Sequence, residues 1–201
     1  MNLYNNLPIY TLYVDEDQSL EVDKVSIVNS PAVQKNFLAF KDQKVNFSAD
    51  EERKELLGVA LIPDKPIYRC VDNEEFYVTF PKETIRKIAL NLFKKGYNTS
   101  MNIEHTDKNA DSHIYQSFIV DSKLGINSPK GMEELPDGSW VIGVKVNSEE
   151  LWNDIKSGKR NGFSVEGLFG LEEATDSISE KDLEDYLSAA SRLHNLLSNV
   201  K

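Results

Sequence analysis

The stretch Asn161-Gly-Phe-Ser-Val-Glu-Gly167 carries a serine hydroxyl in a short strand-like run bounded by glycines. A second stretch, Met101-Asn-Ile-Glu-His105, carries an imidazole in a run of the same kind. A serine hydroxyl is a poor nucleophile until a neighbouring base takes its proton. Ser164 and His105, held on two separate strands, are therefore a candidate nucleophile and a candidate base.

The loop before the serine strand is rich in small and polar residues: Gly158, Arg160, Asn161 and Gly162. Such a loop can turn sharply and expose backbone N–H groups, the donors that stabilise the oxyanion of an acyl-transfer intermediate. Arg160 and Gly162 mark this candidate oxyanion loop. The pattern Gly-x-Ser-x-x-Gly is weak by itself and differs from the Gly-x-Ser-x-Gly elbow of α/β-hydrolases. A strand serine that faces solvent is the alternative interpretation.

An acidic residue follows the serine at the spacing of one strand repeat. Glu166 lies two residues after Ser164, so their side chains share one face of the strand. A carboxylate in that position can orient an imidazole and stabilise its charge. An ordinary solvent-facing charge is the alternative. Glu104 is poorly placed for the same role, because adjacent residues of a strand point to opposite faces.

His105 also begins a series of potential metal ligands that continues with Asp107, Asp111 and His113. Their spacing matches no compact zinc pattern, and no cysteine lies nearby. We therefore predict no metal site and no cofactor, and a strand-end histidine hydrogen-bonded to the loop is the plainer alternative to a base. The single cysteine, Cys70, has apolar neighbours and is predicted to be a packed side chain.

The composition is that of an ordinary globular protein, with 201 residues of which 40% are hydrophobic and 28% charged. A formal net charge of −10 repels phosphate backbones, so we expect no direct nucleic-acid partner. Since no apolar run approaches the roughly 18 residues needed to span a bilayer, we expect no membrane segment.

Strand-like runs dominate the first 170 residues. Stretches rich in β-branched and aromatic residues, separated by turn residues, predict strands at 8–14, 22–28, 56–62, 67–71, 75–80, 101–105, 114–120, 139–146 and 162–169. Residues 41–55 show no convincing period and predict a loop or a short helix. This order favours a mainly-β or α+β fold, a closed or nearly closed β-barrel decorated by helices.

Two helices interrupt these strands. Residues 81–95 give the clearest helical pattern, because Pro81 suits a first turn, Gly96 suits the stop, and apolar residues recur at helical spacing between them. A shorter helix is predicted over residues 149–157, with Ser148 as its N-cap.

The last 31 residues differ from the rest. From Leu171 to Lys201 there are seven acidic and three basic side chains, which give this segment −4 of the net charge. An apolar stripe at helical spacing follows Ser179 and predicts an amphipathic C-terminal helix after an acidic hinge. The predicted organisation is a β-barrel domain over residues 1–170, followed by the hinge and helix over residues 171–201.

Several motifs occur together in a fixed order along residues 56–170. They are Gly58-Val-Ala-Leu-Ile-Pro-Asp64, Phe76-Tyr-Val-Thr-Phe80, Asn102-Ile-Glu-His105, and Trp152-Asn-Asp-Ile-Lys-Ser-Gly158 leading into Gly162-Phe-Ser-Val-Glu-Gly167. As a set they resemble the tailed-phage prohead maturation proteases of the XkdF type. These belong with the capsid maturation proteases that share a β-barrel fold with herpesvirus assemblins, so the resemblance implies an assemblin-like barrel.

The resemblance implies a serine endopeptidase that cleaves scaffold and the capsid-protein arm, and often itself, inside an assembling procapsid. It implies capsid and scaffold proteins as partners, a location in the host cytoplasm within the procapsid or virion, and a homo-oligomer, since assemblin-like proteases often pair. By this likeness Ser164 matches the nucleophile and His105 the general base. The alternative is an inactive barrel protein with a structural or scaffold-binding role in the capsid.

The third member of the site does not match the family pattern. In many prohead proteases a strand with a Val-Ser-Leu-Val…Pro-Ala pattern follows the serine strand and supplies it. The similar piece here, Lys24-Val-Ser-Ile-Val-Asn-Ser-Pro-Ala32, stands near the N-terminus, as in a circular permutation, with Lys24 at the expected position. Glu166 is therefore the predicted orienting group, with Asp23 and Ser26 as rivals.

Overall fold

A computed structural model describes residues 3–29 and 48–173, apart from positions 16, 18, 51, 52, 72, 131, 133 and 134. The predicted C-terminal helix lies outside the described residues, as does most of the segment 41–55. The division at residue 170 stays a prediction. Neither helix of the described part is long and apolar enough to cross a membrane.

Twelve strands and two α-helices make up the described chain. The strands are β1 (Leu3–Tyr4), β2 (Leu7–Tyr13), β3 (Val22–Val28), β4 (Ser48–Asp50), β5 (Glu55–Leu61), β6 (Ile67–Val71), β7 (Glu74–Thr79), β8 (Met101–Ile103), β9 (Ser112–Ile119), β10 (Trp140–Val146), β11 (Gly162–Gly167) and β12 (Gly170–Glu173). The helices are α1 (Lys82–Lys94) and α2 (Glu149–Lys156). Two short 3₁₀ turns occupy Tyr97–Thr99 and Ser122–Leu124.

The strands form three sheets. One has the order β1-β2-β7-β6 with β12 added to β2, the second has the order β4-β5-β10-β9, and the third has the order β11-β3-β8. The mainly-β, α+β character is confirmed. The closed barrel is not found among the described strands, because β11 lies beside β5 without forming a hydrogen-bonded ladder with it. The assemblin-like barrel is therefore not confirmed.

Helix α1 confirms the clearest helical prediction. Pro81 occupies its N-cap in an extended conformation, and Gly96, with a φ of 74°, adopts the left-handed conformation after its end. Its buried face consists of Thr84, Ile85, Ile88, Ala89 and Leu92. This face packs on β3, β9 and β10, which joins the second sheet to the third.

Helix α2 directly precedes the serine strand β11 in the chain. The Ser148 hydroxyl accepts a hydrogen bond from the Leu151 N–H at 3.2 Å, as the predicted cap requires. Gly158, with a φ of 74°, ends the last turn. Leu151, Trp152 and Ile155 are buried in the main core, so the start of β11 is held by apolar packing.

The structure differs from the sequence predictions in three details of the outer parts of the sheets. Residues 48–50 form a strand where a loop or short helix was predicted, and β12 was not predicted at all. Cys70 is exposed rather than packed, since it lies toward the end of β6, at the edge of its sheet.

The third sheet is two-faced. Val25, Ile27, Met101, Ile103 and Phe163 point into the main core. Ser26, Asn102, Ser164 and Glu166 stand at alternate positions of the same strands and therefore point to the opposite face. The polar face therefore gathers side chains from three distant parts of the chain.

A close backbone approach fixes how β11 ends. A Cβ built on Gly167 would lie 2.0 Å from the carbonyl oxygen of Glu21, which is backbone and cannot move aside. The register of β11 against β3 shifts between Glu166 and Gly167, so this glycine sits at an irregularity that bends the strand.

We expect Gly167→Ala to lower the free energy of unfolding by about 1–3 kcal/mol, the usual cost of overpacking. Urea unfolding measures this loss. Gly162→Ala is the matched control on the same strand, because its added Cβ meets no atom within 4 Å. Equal unfolding midpoints for the two variants would contradict this account of β11.

Candidate active site

The strand order brings the serine and histidine segments to either side of one central strand. β3 pairs antiparallel with β11 and parallel with β8. The register places Ser164 opposite Ser26, and Ser26 opposite Asn102. Directly opposed residues of antiparallel strands have Cβ atoms about 4.5–5.5 Å apart. Ser164, Ser26 and Asn102 therefore form one row across the polar face.

His105 reaches this row from a turn. The prediction that His105 lies in a strand is wrong, because β8 ends at Ile103 and both Glu104 and His105 adopt left-handed conformations with φ of 55°. The Ile103 N–H donates to the Lys108 carbonyl at 3.0 Å, which closes the turn. Two consecutive non-glycine residues in this region are costly, and such strain is concentrated at functional sites.

Four side chains meet at the end of this row. The Nδ1 atom of His105 lies 3.0 Å from the Ser26 hydroxyl and 3.0 Å from Oε1 of Glu166. The Asn102 amide nitrogen donates to the same Glu166 oxygen at 2.7 Å. The Ser26 hydroxyl lies 2.6 Å from Oδ1 of Asn102 and within hydrogen-bond distance of Glu166.

This arrangement favours one tautomer of the neutral His105 imidazole. An unprotonated Nδ1 would turn a lone pair toward the Glu166 carboxylate, whereas Nδ1–H donates to it. The proton therefore belongs on Nδ1, and Nε2 is left with the free lone pair. That is the tautomer a general base requires, with a carboxylate on the opposite nitrogen.

The Glu166 carboxyl is held in its ionised form. Burial alone raises its pKa. Hydrogen bonds from Ser26 and Asn102, together with the charge and hydrogen bond of His105, lower the pKa by more than burial raises it. The net result is a pKa below the ordinary value of 4.5. Glu166 therefore carries its negative charge against His105 across the neutral pH range.

Ser164 stands next to this group without a direct bond to it. Its side chain is half-buried on β11, and no described residue forms a hydrogen bond with its hydroxyl. The structure brings His105 together with Glu166 and Ser26, and it brings Ser164 beside Ser26. It does not show a hydrogen bond between Ser164 and His105.

The other predicted rivals are placed clearly. Asp23 falls where the register skips from Lys24 to Val22, and it makes no contact with His105 among the described residues. Lys24 is exposed and lies directly opposite Glu166. The position that the sequence resemblance predicted for the third member is thus the cross-strand neighbour of the carboxylate that contacts His105.

The predicted oxyanion loop is tied to the histidine turn. The Arg160 guanidinium lies 2.7 Å from Glu104 and 3.9 Å from Asp154, and Glu104 also accepts from the Asn29 N–H. The Asn161 N–H is already donated to the Val28 carbonyl at 2.9 Å. Arg160 thus links the loop before the serine strand to the residue that precedes His105.

The alternative metal ligands do not converge. Among the described residues, no three His, Cys, Asp or Glu side chains are grouped so that they could hold a metal ion. His113 lies on β9 opposite Lys145, and Asp111 accepts from the Asn147 side chain at 3.3 Å. His105 is directed instead at Ser26 and Glu166.

The sequence did not lead us to predict Asn102 as a site residue, and it indicated Ser26 only as an alternative to Glu166 for the orienting group. The available signal was the polar position in each of two apolar runs, Val25-Ser-Ile-Val28 and Met101-Asn-Ile103. A polar side chain that is buried in a strand needs a partner, and here the partners are each other and Glu166.

We expect the removal of the Glu166 charge to flatten the acid dependence of stability. A carboxyl with a depressed folded pKa stabilises the fold above its unfolded pKa, and this stabilisation is lost as the pH falls through the folded value. The unfolding free energy of the wild type should therefore drop more steeply below about pH 5 than that of Glu166→Gln. Urea unfolding at a series of pH values measures both slopes.

The matched control is Glu172→Gln, which removes an exposed carboxylate on β12, away from the described site contacts. If Glu166→Gln and the wild type have the same acid slope, the stated role of this carboxylate in the network is wrong.

Comparison with known proteins agrees with this picture. Residues 43–173 match the family described as "Putative phage serine protease XkdF". Two curated proteins of Bacillus subtilis (strain 168) are similar: "Uncharacterized protein YqbD" is 27% identical over 188 residues, which cover 89% of this chain and 53% of that protein. "Phage-like element PBSX protein XkdF" is 25% identical over 162 residues, which cover 76% of this chain and 54% of that protein.

The chain spans about half the length of these curated relatives. No solved structure matches it. The family match covers β4 to β12, and so includes Ser164, His105 and Glu166, while β3 with Ser26 lies before it. The chain belongs to the phage serine protease family of the XkdF type.

Proposed function

We propose that this protein is a serine endopeptidase that cleaves scaffold and capsid-protein arms during phage procapsid maturation. The observation that carries the proposal is the polar face of the sheet β11-β3-β8. There an imidazole with a carboxylate on Nδ1 lies one strand away from a half-buried serine.

Ser164 is the proposed nucleophile, although Ser26 is the serine that contacts His105. Ser26 has 0% of its surface exposed, so its hydroxyl has no access to a peptide carbonyl. It also faces Nδ1, the nitrogen to which the contact with the Glu166 carboxylate assigns the ring proton, so Nδ1 would donate to Ser26 and not accept its proton. Ser164 is half-buried, and it has no competing hydrogen bond among the described residues.

His105 is the proposed general base and acts through Nε2. This nitrogen takes the Ser164 proton as the hydroxyl attacks the scissile carbonyl, and then returns it to the leaving amine. Water activated by the same nitrogen hydrolyses the acyl-enzyme. Hydrogen bonds of this kind are often long in substrate-free enzymes and shorten when the substrate binds.

Glu166 is the proposed third member of the site. Its carboxylate accepts from Nδ1–H, which fixes the ring orientation and stabilises the imidazolium that forms on proton transfer. Arg160 and Gly162 mark the loop that is proposed to hold the oxyanion. The Asn161 N–H is excluded from that role because it bonds to the Val28 carbonyl.

The proposed setting is suggested by the family resemblance and not by the geometry of the site. The proposed substrates are capsid and scaffold proteins, the proposed location is the procapsid in the host cytoplasm, and self-cleavage and homo-oligomer formation are part of the same proposal. Confinement with the substrate raises its effective concentration, so a modest turnover number is sufficient. An assemblin-like β-barrel, which the described strands do not confirm, also belongs to this proposal because of the family resemblance.

A second candidate function is an inactive protein of the same fold with a structural or scaffold-binding role. The observation that favours it is Lys24, a base at the position where the family pattern expects the third member. Glu166 contacts His105 from the adjacent strand, which weakens this alternative.

The test is covalent labelling with a fluorophosphonate, which reacts only with an activated serine. We expect the wild type to be labelled on Ser164 and Ser164→Ala to remain folded but unlabelled. Loss of the nucleophile should lower kcat for scaffold or capsid-arm cleavage by about 10⁶-fold. Mass spectrometry of peptides locates the label.

Ser157→Ala is the matched control, because this serine is exposed and its hydroxyl donates to the Asp154 carbonyl at 2.9 Å, away from the described site contacts. Labelling and cleavage by this variant should equal those of the wild type. Normal cleavage by Ser164→Ala would remove Ser164 from the active site, and absence of labelling in the wild type would favour the inactive alternative.

A further inference from the structure

Two of the polar side chains that contact His105 or Glu166 are themselves buried. Ser26 is 0% exposed and Asn102 is 6% exposed. Burial of a polar group is unfavourable unless it is hydrogen-bonded. Their neighbours along each strand, Val25, Ile27, Met101 and Ile103, are buried and apolar and point to the opposite face, into the main core.

We propose that Ser26 and Asn102 are positioning residues that hold the Glu166 carboxylate ionised and directed at Nδ1 of His105. Through this contact they keep Nε2 available to Ser164. The proposal rests on the proposed serine protease function. It assigns roles to two residues besides Ser164, His105 and Glu166.

The hydrogen-bond donors and acceptors fit this role. The Asn102 amide presents its nitrogen to Glu166 at 2.7 Å and its oxygen to Ser26 at 2.6 Å. The reverse orientation would oppose the amide oxygen to the carboxylate, so the assignment follows from the chemistry of the partners. Asn102 therefore donates a hydrogen bond to Glu166 and accepts one from Ser26.

Ser26 completes the arrangement from the central strand. Its single hydroxyl proton is shared between the Asn102 oxygen and the Glu166 carboxylate, while its lone pairs face Nδ1–H of His105. It contacts all three of the other side chains. Its removal takes away the donor that the Asn102 oxygen and the Glu166 carboxylate both accept from.

Among the described residues, two groups that can carry a positive charge lie against Glu166. His105 approaches it from the turn after β8, and Lys24 lies opposite it on β3. Glu104, next to His105, is neutralised by Arg160 at 2.7 Å. With Ser26 or Asn102 removed, burial is opposed by fewer hydrogen bonds, so protonation of Glu166 shifts to higher pH.

The experiment compares Ser26→Ala, Asn102→Ala and Asn102→Asp with the wild type. The first readout is the rate of fluorophosphonate labelling of Ser164 as a function of pH. We expect each alanine variant to lose about 10- to 100-fold in rate, as expected for a lost hydrogen bond to a charged group. The part of the profile that follows Glu166 protonation should move to higher pH, and furthest in Asn102→Asp, because a second carboxylate then faces Glu166.

Ser139→Ala is the matched control. Ser139 is also 0% exposed and its hydroxyl donates to the Pro136 carbonyl at 2.7 Å, away from the site. This variant should lose stability without any change in the pH profile. If Ser26→Ala and Asn102→Ala keep the wild-type profile, or differ from it only as Ser139→Ala does, the positioning role is overturned.

A second readout does not depend on catalysis. Carbon NMR of the Glu166 carboxyl and nitrogen NMR of the His105 ring give the carboxyl pKa and the site of the ring proton in each variant. We expect a higher Glu166 pKa in all three variants and a proton on Nδ1 in the wild type. If the substitutions raise the Glu166 pKa and the wild type has its ring proton on Nδ1, but the wild type is not labelled, the protease function alone is refuted. If the Glu166 pKa is the same in the variants as in the wild type, the positioning role alone is refuted.

Discussion

The pairing of β3 with two strands from distant parts of the chain is the constraint on which the site depends. β3 is antiparallel to β11 and parallel to β8, and this register alone sets Ser164, Ser26 and Asn102 in one row. A shift by one residue would turn these groups into the core and bring Val25 or Ile27 to the polar face. The apolar face that packs under α1 therefore fixes the chemistry on the other face.

The carboxylate has a position that the chain order alone does not suggest. The sequence resemblance predicted the third member at position 24, on β3, where this chain has a lysine. The sheet places Glu166 directly opposite that position, so a carboxylate from either strand would approach the same point on the polar face. The exposed Lys24 and the half-buried Glu166 thus occupy the two sides of one cross-strand pair.

Local patterns in the sequence predicted much of this fold. Pro81, Gly96 and the apolar spacing between them located α1, and β-branched runs located β3 and β6 with correct ends. The face shared by Ser164 and Glu166 followed from the two-residue period of a strand. These features depend on neighbours in the chain, which is why they could be predicted.

Long-range features could not be predicted in the same way. The separation into three sheets depends on which strands pair across the chain, and the left-handed turn at Glu104 and His105 contradicts the strand preference of that segment. Cys70 has apolar neighbours in sequence but lies at a sheet edge. The role of Asn102 required the register of β8 on β3, which no spacing in the sequence reveals.

The most direct test of the central claim is a crystal structure of the protein with a phosphonate bound covalently. The account predicts that the adduct is on Ser164 and that Nε2 of His105 lies within about 3.2 Å of its Oγ atom, with Glu166 on Nδ1. An adduct on a different residue, or an imidazole that remains out of reach of Ser164, would contradict it.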